Sequence, residues 1–389
     1  MFMARLTIEE IPLADRRMRH FVVVPWHIHR GDPYWIPPLT GDLLGSRLLG
    51  LTGLLTPAHP YHRTADVTHF LARSGPRLVG RVSAAINHRF NDYHHTNLGF
   101  FGFYESIPDY AVTEALLDSA RAWLVKWRVD AMRGPGGYSN ATHESHQAVL
   151  VHGFDTPPTV ELTHNPPYYG EFLERYGLRK VKDYHAYWFA SAQPHAPRLG
   201  RLVAAARSRR GIETRSLDMH RLKEEVDKLV FIYNEAWASN WGFLPITKEE
   251  ADALARSLKT IADPDLIRFA YVDGEPAAMI GIIPDPNVAL KPKWNPILDR
   301  DLVRAIRLWV QRRHIRTGRI MFFGIRPPYR KIGLDAVLFH EVLTIGWQKG
   351  YRAGEGSMLL EDNDLILRAC EAMGGYLYKT WRIYEMPIS

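Results

Sequence analysis

The stretch RPPYRKIGLDAVLFHEVL, Arg326 to Leu343, combines residue types and spacing that can do chemistry. Arg330, Lys331 and Ile332 lead into Gly333, and an apolar helical pattern begins at Leu334. The first turn of a helix carries N–H groups without intrahelical partners, and the macrodipole adds partial positive charge there. Such an end takes phosphate oxygens, and a glycine lets the backbone approach because no Cβ intervenes. A pyrophosphate is the natural guest. A second candidate anion nest lies in MRGPGGYSNATHE, at Arg133, Gly134, Gly136 and Gly137.

Other reactive side chains point elsewhere. The chain has 18 histidines, but His143 and His146 in HESH lack an i,i+4 pair, and the adjacent His94 and His95 are poorly set to share an ion. No Cys/His spacing matches zinc, so no metal is expected. The single cysteine, Cys370, falls mid-helix among apolar residues, a core position rather than a nucleophile. It excludes an intramolecular disulfide framework.

The elements that position the loop are legible in the C-terminal half. A short strand IETRSL precedes a helix with Leu222, Val226, Leu229, Val230 and Tyr233 on one face, and a second helix follows from Lys248. A hairpin turns at Asp273-Gly274. Next come a basic amphipathic helix, DLVRAIRLWVQRRHIR, and the strand GRIMFFGI. The loop and its helix follow, then the strand RAGEGSMLLE, a helix from Asn363, and a last strand. Strands alternating with helices predict a mixed sheet covered by helices.

Part of this pattern occurs twice. VTHFLARSGPRLVGRVSAAIN (Val67–Asn87) echoes the hairpin of LIRFAYVDGEPAAMIGIIPDPN. FLERYGLRKVKDYHAYWF and CEAMGGYLYKTWRIYEM both run helix end, glycine, terminal strand, and Gly177 to Tyr187 is spaced as Gly374 to Tyr384. Two copies of one α/β (α+β) unit are expected, 1–200 and 201–389, with a junction in Ser191–Gly211.

The 389 residues are 46 % apolar and 23 % charged, a globular composition, and the formal net charge is +7. A positive surface favours anionic partners. No secretory signal is read at the N-terminus, and Leu43–Pro57 is too short and interrupted to span a bilayer. Location in the cytoplasm is the expectation.

Beside this stands a resemblance. YRKIGLDAVL resembles the pyrophosphate loop of the GNAT acyltransferases, Arg/Gln-x-x-Gly-x-Gly/Ala, through Arg330 and Gly333; Asp335 departs from the final small residue. An acid there repels phosphate but can cap the helix start. EDNDLILRACEAMGGYLY is similar to the later GNAT motif of strand end, Asn, helix, Gly and aromatic. DPYWIPPL, GFFGFYE, RGPGGYSN, NPPYY, YNEAWASNWGFLP and YKTWRIYE look like the bacterial YghO-like tandem GNAT proteins, across nearly the whole chain. Some of that family are bacterial ceramide synthases, which move a long acyl chain from acyl-CoA to a sphingoid base.

The resemblance implies two tandem GNAT-like domains, each a mixed central sheet flanked by helices. The N-terminal one is expected to be a degenerate copy shaping the acceptor site, because it lacks a clear loop. The implied activity is acyl-CoA-dependent N-acyl transfer, possible on a sphingoid base, with acyl-CoA as co-substrate and the acceptor between the domains. Cofactor contacts would come from Phe323, Gly324 and Ile325, whose strand supplies oxyanion donors, from Arg330, Lys331, Ile332, Gly333 and Leu334, and from Asn363 at the pantetheine arm. Acyl transfer needs a base for the acceptor nitrogen: Glu361 leads, a helix cap being its other reading. Glu355 is the weaker candidate, with a salt bridge as its other reading. Tyr384 can protonate the thiolate, or be a packed tyrosine. Asp285 and Asn287, in PDPN, either meet the acceptor or only make a turn; Tyr233 and Trp237 complete the acceptor set.

Two alternatives stay open: a Fem-type aminoacyl-tRNA-dependent transferase and a non-catalytic GNAT-fold binding protein. No nucleic-acid partner is expected under the leading reading. The basic helix from Asp301 suits an anionic membrane surface and peripheral association with the inner face of the membrane, or packs its apolar side on its own sheet.

Overall fold

The computed structural model describes residues 5–46, 51–137, 147–190, 197–208 and 211–388. The strands are β1 (Leu6–Ile11), β2 (Ala65–Ser74), β3 (Arg77–Asn87), β4 (Leu98–Ser106), β5 (Ala131–Gly134), β6 (Val149–His152), β7 (Arg179–Phe189), β8 (Ile212–Ser216), β9 (Ile267–Val272), β10 (Glu275–Pro284), β11 (Thr317–Ile325), β12 (Ala353–Leu360) and β13 (Tyr376–Pro387). The helices are α1 (Met18–Ile28), α2 (Thr40–Leu44), α3 (His88–His94), α4 (Tyr110–Val125), α5 (Tyr168–Tyr176), α6 (Pro197–Arg207), α7 (Leu222–Ala236), α8 (Lys248–Ile261), α9 (Asn287–Leu290), α10 (Asp301–Gln311), α11 (Leu334–Gln348) and α12 (Asp364–Ala372).

The chain forms two compact units. The first comprises Met1–Asp183, Ala289–Val310 and Lys379–Ser389; the second comprises Tyr184–Val288 and Gln311–Tyr378. Neither unit is continuous in sequence, whereas the echoes implied a cut near residue 200.

In the first unit β1, β2, β3 and β4 pair antiparallel in that order. β5 joins β4 in parallel, and the C-terminal part of β13 closes the sheet against β5 and β6. In the second unit β8, β9, β10 and β11 are antiparallel, β12 joins β11 in parallel, and Tyr184–Phe189 of β7 closes the sheet against β12. The strand order is therefore the same in both. Each sheet is covered on two faces, by α1 and α4 in the first unit and by α7 and α11 in the second. Coverage on both faces lets β3 and β4 read as nearly continuous buried runs instead of alternating ones.

The closing strand of each repeat was expected to stay with its own half. Instead, β7 completes the second unit and β13 the first. Equivalent tyrosines make equivalent bonds: Tyr187 donates to Glu371 at 3.1 Å, and Tyr384 donates to Glu174 at 3.1 Å.

Ser191–Gly211 was expected to be a junction. Its residues Pro197–Arg207 are helical, and Val203 and Ala206 pack on Ala336 and Val337 of α11. The spacing of these small apolar residues puts both on one helix face.

Candidate functional site

β11 and β12 run in parallel and pair only from Thr317–Ala353 to Ile320–Gly356. Both strands continue, to Ile325 and Leu360, so beyond the last rung they part. A register shift between Gly281 and Ile282 of β10 leaves Met321 opposite no partner residue at the point of parting. A bulge there bends a strand and ends its pairing. The result is a slot of about 16 Å, five residues at the strand rise, whose backbone groups on the β12 side of β11 have no rung to fill.

The slot opens toward the loop Arg326–Gly333. Gly333 is the N-cap of α11 with φ of 88°, and no side chain caps the helix. A β-carbon there would stand 2.9 Å from the Ala206 methyl of α6. Glycine is thus demanded twice, by the left-handed backbone and by α6. Asp335, expected to cap the helix start, does not; it is exposed in the first turn and acts only through the dipole. Arg330 donates to the carbonyls of Ile325 (3.3 Å) and Ala236 (2.9 Å), which pins the loop between β11 and α7. Lys331 is exposed with φ of 65°, and Ile332 packs on the apolar layer under α11. Arg326 pairs with Glu235 at 2.6 Å, and that hydrogen bond raises its pKa.

On β11, Phe323 and Ile325 face α11; the Phe323 and Phe339 rings lie 4.8 Å apart. Gly324 faces α7. The close approach inferred for it is to the Ala236 methyl, 2.9 Å from a built β-carbon, where α7 crosses the strand. Trp237 donates its indole N–H to the Phe323 carbonyl at 2.9 Å. Tyr233 is 1 % exposed and packs on Trp237 and Phe243. It is a core residue.

At the closed end of the slot Glu355 is fully buried. Tyr378 donates to its carboxylate, and the Arg319 guanidinium lies 3.9 Å away. Burial, with Glu355 adding to it, pushes the Tyr378 hydroxyl far above its ordinary pKa, so it stays a donor. Asp285 also bears on Tyr378 electrostatically. Its carboxylate accepts from the Asn287 backbone at 3.2 Å, the turn that Asp-Pro-Asn favours. Glu361 lies in the turn beyond β12, at the open end, and the exposed Asn363 starts α12 without capping it. A small, almost wholly apolar pocket of about 50 Å³ lies at the closed end of the slot. Ile320, Gly354 and Phe189 line it from the sheet, and Val342 and Gly346 from α11.

Tyr384 is not part of this assembly. It belongs to the first unit, is fully buried, and its hydroxyl is held by Glu174 of α5. Burial, followed by Glu174, raises its pKa. Its counterpart in the second unit is Tyr187, pushed up to about 12 by burial and then by Glu371. The reason is the crossing of the closing strands, which spacing alone does not reveal.

The first unit has the corresponding parallel pair, β4 with β5, ending at Phe100–Arg133. The helix after β4 starts at Asp109, whose side chain caps it, so this helix start is already filled. The glycines of MRGPGGYSNATHE follow β5 instead: Gly137 accepts from Tyr61, and Arg133 pairs with Glu385 at 2.7 Å. HESH lies outside the described residues. A buried network beside this strand went unread in the sequence. Glu105 meets His29 at 2.9 Å and Tyr169 at 2.6 Å, with Arg81 at 3.6 Å. Burial would raise the Glu105 pKa, but His29, Arg81 and Tyr169 hold it below the ordinary value. The acid closing the apolar run GFFGFYE was the available signal. Among the described residues no group of His, Cys, Asp and Glu is set to hold a metal.

No family model matches the chain. It is 32 % identical over 379 residues to the bacterial ceramide synthase of Caulobacter vibrioides, covering 95 % of each chain. The chain belongs to the YghO-like family of tandem GNAT-fold proteins. Protein YghO of Escherichia coli is 29 % identical over 380 residues, with 95 % of this chain and 93 % of YghO covered. A tandem GNAT protein from the clavulanic acid biosynthesis pathway matches the fold with a TM-score of 0.56, at 14 % identity and 99 % coverage of both chains. A conserved protein from Enterococcus faecalis V583 matches with a TM-score of 0.51, at 11 % identity, covering 99 % of this chain and 72 % of that one. The likeness of this YghO-like chain to these solved structures is one of fold.

Proposed function

We propose that the chain is an acyl-CoA-dependent N-acyltransferase whose second unit holds the CoA ester and whose acceptor is a hydrophobic amine of sphingoid-base type. One observation carries the reading: β11 and β12 part directly below an uncapped helix N-terminus with glycine at its cap. The free N–H groups at Leu334 and beyond would take a pyrophosphate. The slot would take the pantetheine arm, with Asn363 at its mouth, and backbone N–H groups near Phe323 would meet the developing oxyanion. The pocket at the closed end of the slot is apolar, which favours an apolar acyl group over a polar one. The name of the Caulobacter relative supports the acyl and acceptor classes.

The two glutamates divide by position. A pyrophosphate at α11 puts the thioester toward the closed end, nearer Glu355 than Glu361. Glu355, with Tyr378 donating to it, is thus favoured as the group that draws the proton from the acceptor nitrogen. Mass spectrometry with a series of acyl-CoAs and long-chain amino alcohols tests the activity. Absence of both N-acyl product and calorimetric CoA binding refutes it. Glu355→Gln and Glu361→Gln, compared by the pH dependence of kcat/KM, separate the two bases.

A further inference from the structure

α10 is turned inside out. Its fully buried residue is Arg304, whose guanidinium donates to the carbonyls of Pro38 (3.0 Å), Pro37 and Leu290. Arg307 binds the carbonyls of Ala289 and Lys291. The cationic side therefore faces the first unit, and the expectation that the apolar side packs on the sheet is overturned. The apolar side faces solvent: Leu302, Ile306 and Val310 are 53, 54 and 58 % exposed, and Ile297 and Leu298 in the preceding loop are 63 and 45 % exposed. Leu302, Ile306 and Val310 recur at i and i+4, so they form one stripe along about 12 Å of helix.

We propose that this stripe is a docking surface for an anionic lipid bilayer. The charges around it decide the occupant. Lys291, Lys293 and Arg300 are exposed in the same segment. Its carboxylates are tied to backbone N–H groups: Asp299 accepts from the backbone of Lys293 and Asn295, and Asp301 from that of Thr40 and Gly41. An apolar stripe with a cationic border, its acids already bonded to backbone N–H groups, matches acyl chains beneath anionic headgroups. The seating of Arg304 fixes the helix in this orientation, so the stripe is preformed. No described helix is long and apolar enough to cross a membrane, so binding would be confined to the interface. The surface does not depend on the acyl-transfer reading.

Flotation of the full chain with vesicles tests this. Phosphatidylcholine mixed with phosphatidylglycerol should carry the protein up, and phosphatidylcholine alone should carry much less. Added salt should weaken the capture. The L302S/I306S/V310S variant, with unchanged circular dichroism, should lower the partition coefficient by about tenfold or more, whereas Leu365→Ser, an exposed apolar residue elsewhere, should not. No flotation with anionic vesicles, or equal flotation of the triple variant, overturns the proposal. So does a lipid-free dimer in sedimentation velocity that the triple variant dissolves, since a second copy would then own the stripe.

Discussion

Replacing Gly333 by alanine tests the loop and the helix that packs on it together. Two costs can be separated. The left-handed backbone, φ of 88°, costs a residue with a Cβ about 1–2 kcal/mol. The new methyl, 2.9 Å from that of Ala206, adds an overpacking cost of about 1–3 kcal/mol. Gly374 has nearly the same φ, 85°, and nothing within 4 Å of a built β-carbon. Gly374→Ala should therefore show the backbone cost alone. In chemical denaturation Gly333→Ala should be about 1–3 kcal/mol worse than Gly374→Ala, and G333A/A206G should recover most of that difference. Calorimetry with CoA gives the second readout. Displacing the first turn of α11 should weaken binding by at least tenfold, about 1.4 kcal/mol. If Gly333→Ala is no worse than Gly374→Ala, the packing of α6 on the loop is refuted. If CoA affinity is untouched in a folded Gly333→Ala protein, the pyrophosphate assignment fails.

Arg304→Met should destabilise the first unit by about 3 kcal/mol or more, because the carbonyls of Pro37, Pro38 and Leu290 lose their donors together; thermal unfolding reads this. Burial lowers the His69 pKa to about 3, so between its ordinary 6.5 and about 3 the unfolded chain binds a proton that the native chain refuses. Stability therefore falls as pH drops through that window, and His69→Gln should flatten the fall, measured as denaturation midpoint against pH. Cys370 is 4 % exposed and burial pushes its thiol up to about 12, so a thiol reagent at neutral pH should label it only after denaturant is added. Gly346→Ala should narrow the apolar pocket and shift turnover toward shorter acyl-CoAs without lowering Tm, since the new methyl stands 3.8 Å from Leu266 and Tyr351 and alanine is the better helix former.

The sequence revealed local features well. Strand-forming runs on either side of turn residues, Gly75-Pro76 and Asp273-Gly274, located both hairpins, and the basic loop ending in Gly333 announced a helix start open to an anion. What failed were questions of partner. Periodicity gave α10 its two faces but not which one turns inward; that depended on carbonyls at Pro37 and Pro38, far away in the chain. Tyr384 has the right spacing from Gly374, yet its hydroxyl finds Glu174, because a strand's pattern says which side is buried and not which sheet it joins. Arg319 and Tyr378 could have been noticed as polar residues inside apolar strands, but their meeting at Glu355 needed the register.

The crossing of the closing strands has a consequence for synthesis. The first unit needs Lys379–Ser389, which are made only after the whole of the second unit. Until they emerge, β5 and β6 lack the strand that covers them, and a nascent chain of any shorter length presents a bare sheet margin. Early folding on the ribosome is therefore denied to the half that is translated first, and closure waits on a contact of very long loop length. Ribosome-stalled chains ending before residue 376 should remain protease-sensitive in the first unit, and a chaperone that shields sheet edges would be needed longest by this part of the molecule.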